Sequence, residues 1–111
     1  KLQMLDPSGI EADEAHQNPH TFQLNQNFPN PFNPTTTIGY QIPYDSKIKL
    51  TIFDIRGQEI VTLTEGYQSV GHHELQWSGI NQAGQTVSTG VYFCRLISDN
   101  SQQTIKMLYL R

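Results

Sequence analysis

Three prolines within six residues constrain the fold of this chain more than any other feature of its sequence. Pro29, Pro31 and Pro34 each hold their own φ at about −65° and each lack a backbone N–H donor. Each proline also disfavours helical geometry at the residue before it. Segment 27–34 therefore cannot belong to a helix or to a central strand, and we predict a stiff, extended loop. Phe28 and Phe32 lie within this loop, where they are available as apolar anchors.

Short runs of alternating apolar and polar residues, separated by turn residues, make up most of the chain after this loop. In one of them Ile48, Leu50 and Ile52 share a face, as the two-residue period of a strand requires. We predict strands at 22–25, 35–42, 47–53, 59–64, 72–77, 91–98 and 102–110. Strands of this length, with turns at intervals of about eight to twelve residues, indicate an all-β fold. The predicted architecture is a seven-stranded, antiparallel, immunoglobulin-like β-sandwich.

The run 91–98 is apolar on both faces at its start, so we place it centrally in its sheet. Tyr92 precedes Cys94 by two residues, which is the spacing of a tyrosine corner in immunoglobulin-like sandwiches. Trp77 is expected to pack on the same core. Because Cys94 is the only cysteine, it excludes an internal disulfide, and we interpret it as a small buried hydrophobe.

Composition and charge argue against several kinds of partner. The net charge is −3 and the seven basic residues are scattered, whereas binding to nucleic acid needs clustered lysine and arginine. No apolar run approaches the roughly 20 residues needed to span a bilayer. Residues 1–21 are polar and carry Pro7, Gly9 and Pro19 as breakers of regular structure. We expect residues 1–21 to form a linker from a preceding domain, and residues 22–111 to form the domain itself.

Candidate residues for catalysis or metal binding are few. His16 and His20 have the four-residue spacing of a helical metal pair, but Pro19 interrupts any helix between them. His72 and His73 are adjacent, so on a strand they point to opposite faces. The glycine-containing loop 78–84 is similar in length to a calcium loop but contains no carboxylate. We therefore predict that the domain is not an enzyme and has no metal site and no cofactor.

Several motifs occur in a fixed order along residues 22–111. They are Leu24-x-Gln26-Asn27-Phe28-Pro29-Asn30-Pro31-Phe32-Asn33-Pro34, Leu50-x-Ile52-Phe53-Asp54-x-x-Gly57, Gly71-x-His73-Glu74-Leu75-x-Trp77, Gly90-Val91-Tyr92-Phe93-x-Arg95-Leu96 and Thr104-x-Lys106-Met107-x-x-Leu110-Arg111. In this order they resemble the type A C-terminal sorting domains of the type IX secretion system. The same profile overlaps an immunoglobulin-like module similar to that of flagellar hook-capping proteins.

The resemblance implies a non-catalytic recognition tag. Such a domain follows a cargo protein through the periplasm, is bound by the outer-membrane secretion machinery, and is commonly removed by a sortase-like peptidase, so that the cargo is secreted or held at the cell surface. By analogy the cut would fall before Phe22, and the last strand would carry much of the signal. The residues singled out for recognition or for the framework are Asn27, Phe28, Pro29, Asn30, Pro31, Phe32, Asn33, Pro34, Gly57, Trp77, Gly90, Tyr92, Lys106, Met107 and Arg111.

Other functions stay open at the level of sequence. The domain could be a structural or adhesive immunoglobulin-like spacer that is retained in a secreted protein, or, with weaker support, a carbohydrate-binding module. The proline loop also has a purely structural interpretation, in which Phe28 and Phe32 together plug one end of the sandwich. The exposed first strand could pair with a neighbouring chain.

Overall fold

The computed structural model describes residues 21–111, and these form two antiparallel sheets packed face to face. The seven strands are β1 Gln23–Leu24, β2 Thr36–Ile42, β3 Ser46–Asp54, β4 Glu59–Gln68, β5 Gly71–Trp77, β6 Gly90–Ile97 and β7 Gln102–Tyr109. One sheet has the order β1-β2-β5 and the other the order β4-β3-β6-β7. The predicted all-β, seven-stranded immunoglobulin-like sandwich is therefore confirmed. The predicted linker 1–21 falls, apart from its last residue, outside the described residues.

The core lies between the two sheets and consists of the inward-facing residues of alternating strands. In β3 the buried side chains are Ile48, Leu50 and Ile52, as their two-residue period predicts. Their partners from the other sheet include Ile38 and Tyr40 of β2, which are fully buried. The prediction that run 91–98 lies centrally is confirmed, because β6 pairs with β3 on one side and with β7 on the other.

Strand β4 is longer than the sequence pattern predicts. The sequence pattern predicts its end at Thr64, but the strand continues to Gln68. The ladder to β3 continues through this stretch, with Gly66 opposite Ile48 and Gln68 opposite Ser46. Gly66 has a φ of 137°, which glycine adopts without penalty. Pairing along β3 therefore outweighs the local tendency of Gly66 to end the strand.

Among residues 21–111 there is no helix of sufficient length and apolar character to cross a bilayer.

Candidate functional site: the proline loop and the last strand

Asn27 is the polar residue that holds the start of the proline loop in place. Its side chain is 2% exposed, and its Nδ2 donates hydrogen bonds to Thr36 Oγ1 at 2.9 Å and to the carbonyl of Pro29 at 3.2 Å. The hydroxyl of Thr36 donates in turn to the same carbonyl at 2.8 Å. Gln26 Nε2 donates to Asn27 Oδ1 at 2.6 Å. Since prolines supply no N–H donors, these side chains take over the task of fixing the loop.

The two phenylalanines of the loop have different environments. Phe32 is 1% exposed, and its ring lies 5.6 Å from that of Trp77 and 5.0 Å from that of Tyr109, measured between centroids. Phe28 is 79% exposed, although its backbone is held by two hydrogen bonds to Thr37 of 3.0 and 2.9 Å. The interpretation in which both rings plug the sandwich is therefore correct for Phe32 and wrong for Phe28. The reason is that the Phe28 backbone lies at the edge of β2, with its side chain directed into solvent.

The loop lies along the outer edge of β7. The Phe32 N–H donates to the Leu108 carbonyl at 2.9 Å, and the Leu110 N–H donates to the Phe32 carbonyl at 3.1 Å. The Leu108 N–H donates to Asn30 Oδ1 at 2.9 Å, and Gln26 Nε2 donates to the Lys106 carbonyl at 2.8 Å. An uncovered sheet edge presents a row of unpaired backbone groups that invites pairing with other chains. Here the loop and Gln26 satisfy both backbone groups of Leu108, the Lys106 carbonyl and the Leu110 N–H, so they close this part of the sandwich edge.

The segment before the loop is bound to the other end of β7 through the side chain of Gln103. Gln103 Oε1 accepts a hydrogen bond of 2.7 Å from the Leu24 N–H, and Gln103 Nε2 donates to the Phe22 carbonyl at 3.1 Å. Strand β1 is therefore fastened to both sheets, since it also pairs with β2. The residues from Phe22 to Phe32 and the segment 102–111, which contains β7, together form one continuous surface, which we call the loop–β7 unit.

Of the predicted residues of segment 102–111, Met107 is fully buried, whereas Lys106 and Arg111 are exposed. A cleft of about 220 Å³ lies beside the loop, and its lining residues include Asn30, Pro31, Lys106, Met107 and Leu108. Arg111 Nη2 lies 3.5 Å from the Val87 carbonyl, to which it donates. The loop–β7 unit thus combines a fixed backbone with an exposed aromatic ring and two exposed cations.

Trp77 and Tyr92 lie in the core below this unit. Trp77 Nε1 donates to the Ile80 carbonyl at 2.8 Å, and its ring meets that of Tyr92 edge-on at 5.3 Å. The Tyr92 hydroxyl donates to the Ser88 carbonyl, four residues upstream, at 2.6 Å. This is the hydrogen bond of a tyrosine corner, as the spacing to Cys94 predicts. Both residues support the site through the core.

Gly57 and Gly90 lie outside the loop–β7 unit and serve the backbone. Gly57 has a φ of 85° in the turn between β3 and β4. In that turn Asp54 Oδ1 accepts hydrogen bonds of 2.9 Å from the N–H groups of Arg56 and Gln58. The bond from Gln58, assisted by the Arg56 side chain, holds the pKa of Asp54 below its ordinary value. Gly90 begins β6 with a φ of 145°.

The residues considered for chemistry are engaged in structural contacts. Burial raises the pKa of the Cys94 thiol to about 12, which leaves it unreactive as a nucleophile at neutral pH. His73 stacks on Tyr40 at 5.4 Å, while His72 lies 3.4 Å from Glu74 on the solvent side. Within residues 21–111 no three His, Cys, Asp or Glu side chains are grouped as metal ligands. His16 and His20 lie outside the described residues.

In the loop 78–84, Asn81 Oδ1 accepts hydrogen bonds of 3.0 Å from the N–H groups of Ala83 and Gln85. The Asn81 side chain therefore stabilises the turn, and it is an amide rather than a carboxylate of the kind that binds calcium.

The sequence pattern did not reveal Thr36 as a structural partner of Asn27, nor the pairing of the loop with Leu108. The position of Thr36 could have been found, because it precedes Ile38, Tyr40 and Ile42 on the inward face of β2. A polar residue on such a face needs a buried partner. Asn30 and Leu108 are 78 positions apart, and no local sequence pattern predicts a contact between residues so distant.

Comparison with solved structures shows the same fold in three bacterial proteins. Latent dimeric PorU from Porphyromonas gingivalis is similar with a TM-score of 0.63 and 21% identity, over 77% of this chain and 9% of PorU. PorZ, a surface component of the type IX secretion system of the same organism, has a TM-score of 0.56 and 20% identity over 81% of this chain and 11% of PorZ. FlgD from P. aeruginosa has a TM-score of 0.54 and 19% identity over 67% of this chain and 58% of that structure.

This chain therefore spans about a tenth of the length of PorU and PorZ. No curated protein matches the sequence. The sequence profile of the FlgD Ig-like domain matches residues 31–102, from the middle of the proline loop to the first residue of β7. Because this match covers well over half of the sequence, the chain belongs to the FlgD Ig-like domain family.

Proposed function

We propose that residues 22–111 are a C-terminal sorting signal, read as a folded shape by the outer-membrane machinery of a type IX secretion system. In this proposal the domain performs no catalysis. It accompanies a cargo domain through the periplasm, and a sortase-like peptidase then removes it by cutting before Phe22. The cargo is released or remains at the cell surface.

The position of the loop beside β7 carries this proposal. The Asn27–Pro34 loop and the end of β7 are the most specific parts of the resemblance to sorting domains, and they are far apart in sequence. They lie side by side, joined by hydrogen bonds between Phe32, Leu108 and Leu110. A partner could therefore read both segments at once, using the exposed side chains of Phe28, Lys106 and Arg111.

The rigidity of this unit favours recognition. Binding costs less when the recognised segment is already ordered, and prolines restrict a loop before any partner arrives. An exposed aromatic ring on a fixed backbone is a typical anchor for a pocket on a protein partner. The proposal agrees with the fold likeness to PorZ, a surface component of a type IX secretion system, and at 20% identity that likeness is one of fold alone.

The family match favours one alternative. An FlgD Ig-like domain in a secreted protein could act as a structural or adhesive spacer that stays in the mature chain. The two functions differ in what happens to the domain: a sorting signal is recognised and removed, whereas a spacer is retained.

The test follows the cargo of the full-length protein in a host with a working type IX system. Deletion of β7 is unsuitable because it would remove Met107 and Tyr109 from the core. Phe28→Ser and Arg111→Gln alter exposed side chains of the unit instead. Tyr67→Ser and Arg56→Gln are matched controls, because Tyr67 is 81% exposed and Arg56 is exposed, both away from the unit.

We expect cargo carrying Phe28→Ser with Arg111→Gln to accumulate in the periplasm, while the control variants are secreted normally. Mass spectrometry of the wild-type product should find residues 22–111 removed. Normal secretion of the loop–β7 variant, together with a mature protein that keeps these residues, would establish the spacer instead. Thermal melts of the double variant and of the two control variants show whether each remains folded.

A further inference from the structure

The outer faces of the two sheets differ in chemistry. On the β1-β2-β5 sheet, edge strand β5 presents the exposed polar side chains of His72, Glu74 and Gln76. On the β4-β3-β6-β7 sheet, Phe53 and Phe93 lie opposite each other. Phe53 follows the buried Ile52 in β3, and Phe93 lies between the buried Tyr92 and Cys94 in β6. Since side chains alternate along a strand, these two rings point away from the core. An apolar outer face on a sheet next to solvent indicates a contact surface.

Arg95 lies within this face in a fixed orientation. Its guanidinium carbon is 4.6 Å from the centre of the Phe53 ring, the arrangement of a cation–π contact. Arg95 Nε is buried and is the one such side-chain atom without a hydrogen-bond partner in residues 21–111. A guanidinium stacked in this way keeps its planar fork oriented, and that fork matches the two oxygens of a carboxylate.

The apolar face continues towards the proline loop. Val91 lies opposite Leu108 in the β6–β7 register, and both line the cleft of about 220 Å³ beside Pro31. Lys106 lies opposite Phe93 and lines the same cleft. We call the surface formed by Phe53, Val91, Phe93, Arg95 and Leu108 the outer-sheet patch.

The charges around the patch are mainly positive. The register places Lys49 beside Glu65 and Phe53 beside Glu59, and Asp99 lines a cleft with Lys47, Lys49 and Glu65, so three carboxylates share this side of the sheet. The basic side chains on the same side are Lys47, Lys49, Arg95 and Lys106. Four bases against three acids give this face a positive excess of one charge, although Lys and Arg equal Asp and Glu over residues 21–111, at six of each.

We propose that the outer-sheet patch is a docking surface for an acidic, apolar segment of a partner protein. A carboxylate of that segment pairs with the Arg95 guanidinium, and its apolar side chains cover Phe93, Val91 and Leu108. A second copy of this chain is a poorer occupant, because stacking two such faces would bring their positive charges together. This inference goes beyond the sorting function and does not depend on secretion, since a spacer would present the same face.

The test uses the whole chain and a defined probe, a blocked, fluorescently labelled hexapeptide of alternating leucine and glutamate. A hexapeptide with glutamine in place of glutamate has the same shape without the charge. We expect the acidic peptide to bind about tenfold more tightly than the glutamine peptide, since a hydrogen bond to a charged group contributes about this factor. Arg95→Gln should remove that difference, and Phe93→Ser should weaken binding of both peptides.

Arg56→Gln and Ile55→Ser are the matched controls, because both side chains are exposed in the turn after β3. They should leave affinity within about twofold. If Phe93→Ser fails to fold, Leu108→Ser replaces it, because Leu108 lies at the edge of the patch. Equal affinity of wild type and Arg95→Gln for the acidic peptide, no binding by wild type, or self-association of the free chain through this face would each overturn the proposal.

Discussion

The rings of Phe32 and Tyr109 stack with their centroids 5.0 Å apart, and the same two residues form a parallel β-bridge. One contact joins side chains in the core, and the other joins backbones at the sheet edge. Together they fasten the proline loop to the last strand, although 77 positions separate the two residues. The loop is therefore an integral part of the sandwich, with Phe32 as its internal anchor and Phe28 as its exposed one.

The difference between the two anchors predicts a large difference in stability. Phe32→Ala would leave a cavity between Trp77 and Tyr109 and should lower the free energy of unfolding by about 3–5 kcal/mol. Phe28→Ala removes an exposed ring and should change it by no more than about 0.5 kcal/mol. Urea unfolding followed by Trp77 fluorescence measures both. Equal losses for the two variants would contradict the burial described for Phe32.

Asn27 offers a test of the polar side of the loop. Asn27→Ala leaves Thr36 Oγ1 without its buried donor and removes one of the two donors to the Pro29 carbonyl, so we expect a loss of about 1–3 kcal/mol. Asn33→Ala is the matched control, because Asn33 belongs to the same loop and is exposed. Chemical denaturation of the two variants compares them directly. A loss for Asn33→Ala as large as that for Asn27→Ala would show that the buried hydrogen bonds are not the cause.

The sheet architecture could be predicted from the sequence because each strand has a local pattern of alternating apolar and polar residues. The alternation of Ile48, Leu50 and Ile52 and the turn at Gly57 are properties of neighbouring residues, and both are found in the structure. The end of β4 was missed because pairing with β3 carries the strand past Gly66. Local signals cannot report how far a neighbouring strand extends.

The candidate site was only half accessible from sequence. The prolines identified the loop, but the two phenylalanines could not be told apart, because their environments depend on β2 and β7 rather than on the loop itself. The same holds for Arg95, whose stacking on Phe53 follows from the β3–β6 register. Contacts across sheets and between distant strands are set by the packed fold.

Two glycines in the loop between β5 and β6 allow the cost of a steric clash to be measured apart from the cost of backbone strain. Gly79 and Gly84 have φ values of 70° and 82°, so alanine is strained at either position. A Cβ at Gly79 would also lie 2.8 Å from Cζ of Tyr109, whereas nothing lies within 4 Å of one at Gly84. Gly79→Ala should therefore cost about 1–3 kcal/mol more than Gly84→Ala in a thermal or urea melt. Equal costs would mean that Tyr109 does not pack against Gly79.

Cys94 makes stability depend on pH in the alkaline range. Its pKa is raised by burial to about 12 from an ordinary value of 9.0, so the unfolded chain loses the thiol proton first. The contribution of this group is complete below pH 9 and is lost as pH rises towards 12, by at most about 1.4 kcal/mol per pH unit. Cys94→Ala should flatten this part of the stability profile. An unchanged slope in that variant would assign the alkaline loss to other groups.

The central claim is that the proline loop closes the edge of β7, and amide hydrogen exchange tests it directly. The Leu108 and Leu110 N–H groups donate to Asn30 and Phe32 of the loop. The Glu74 N–H is the reference. Glu74 lies opposite Gly39, and the Gly39 carbonyl accepts a hydrogen bond on the side of β1. The Glu74 N–H therefore points away from β2, to the open side of β5. We predict that Leu108 and Leu110 exchange far more slowly than Glu74, and that Asn30→Ala accelerates Leu108 more than Leu110. Exchange of Leu108 and Leu110 as fast as Glu74 in the wild-type chain would contradict the closed edge.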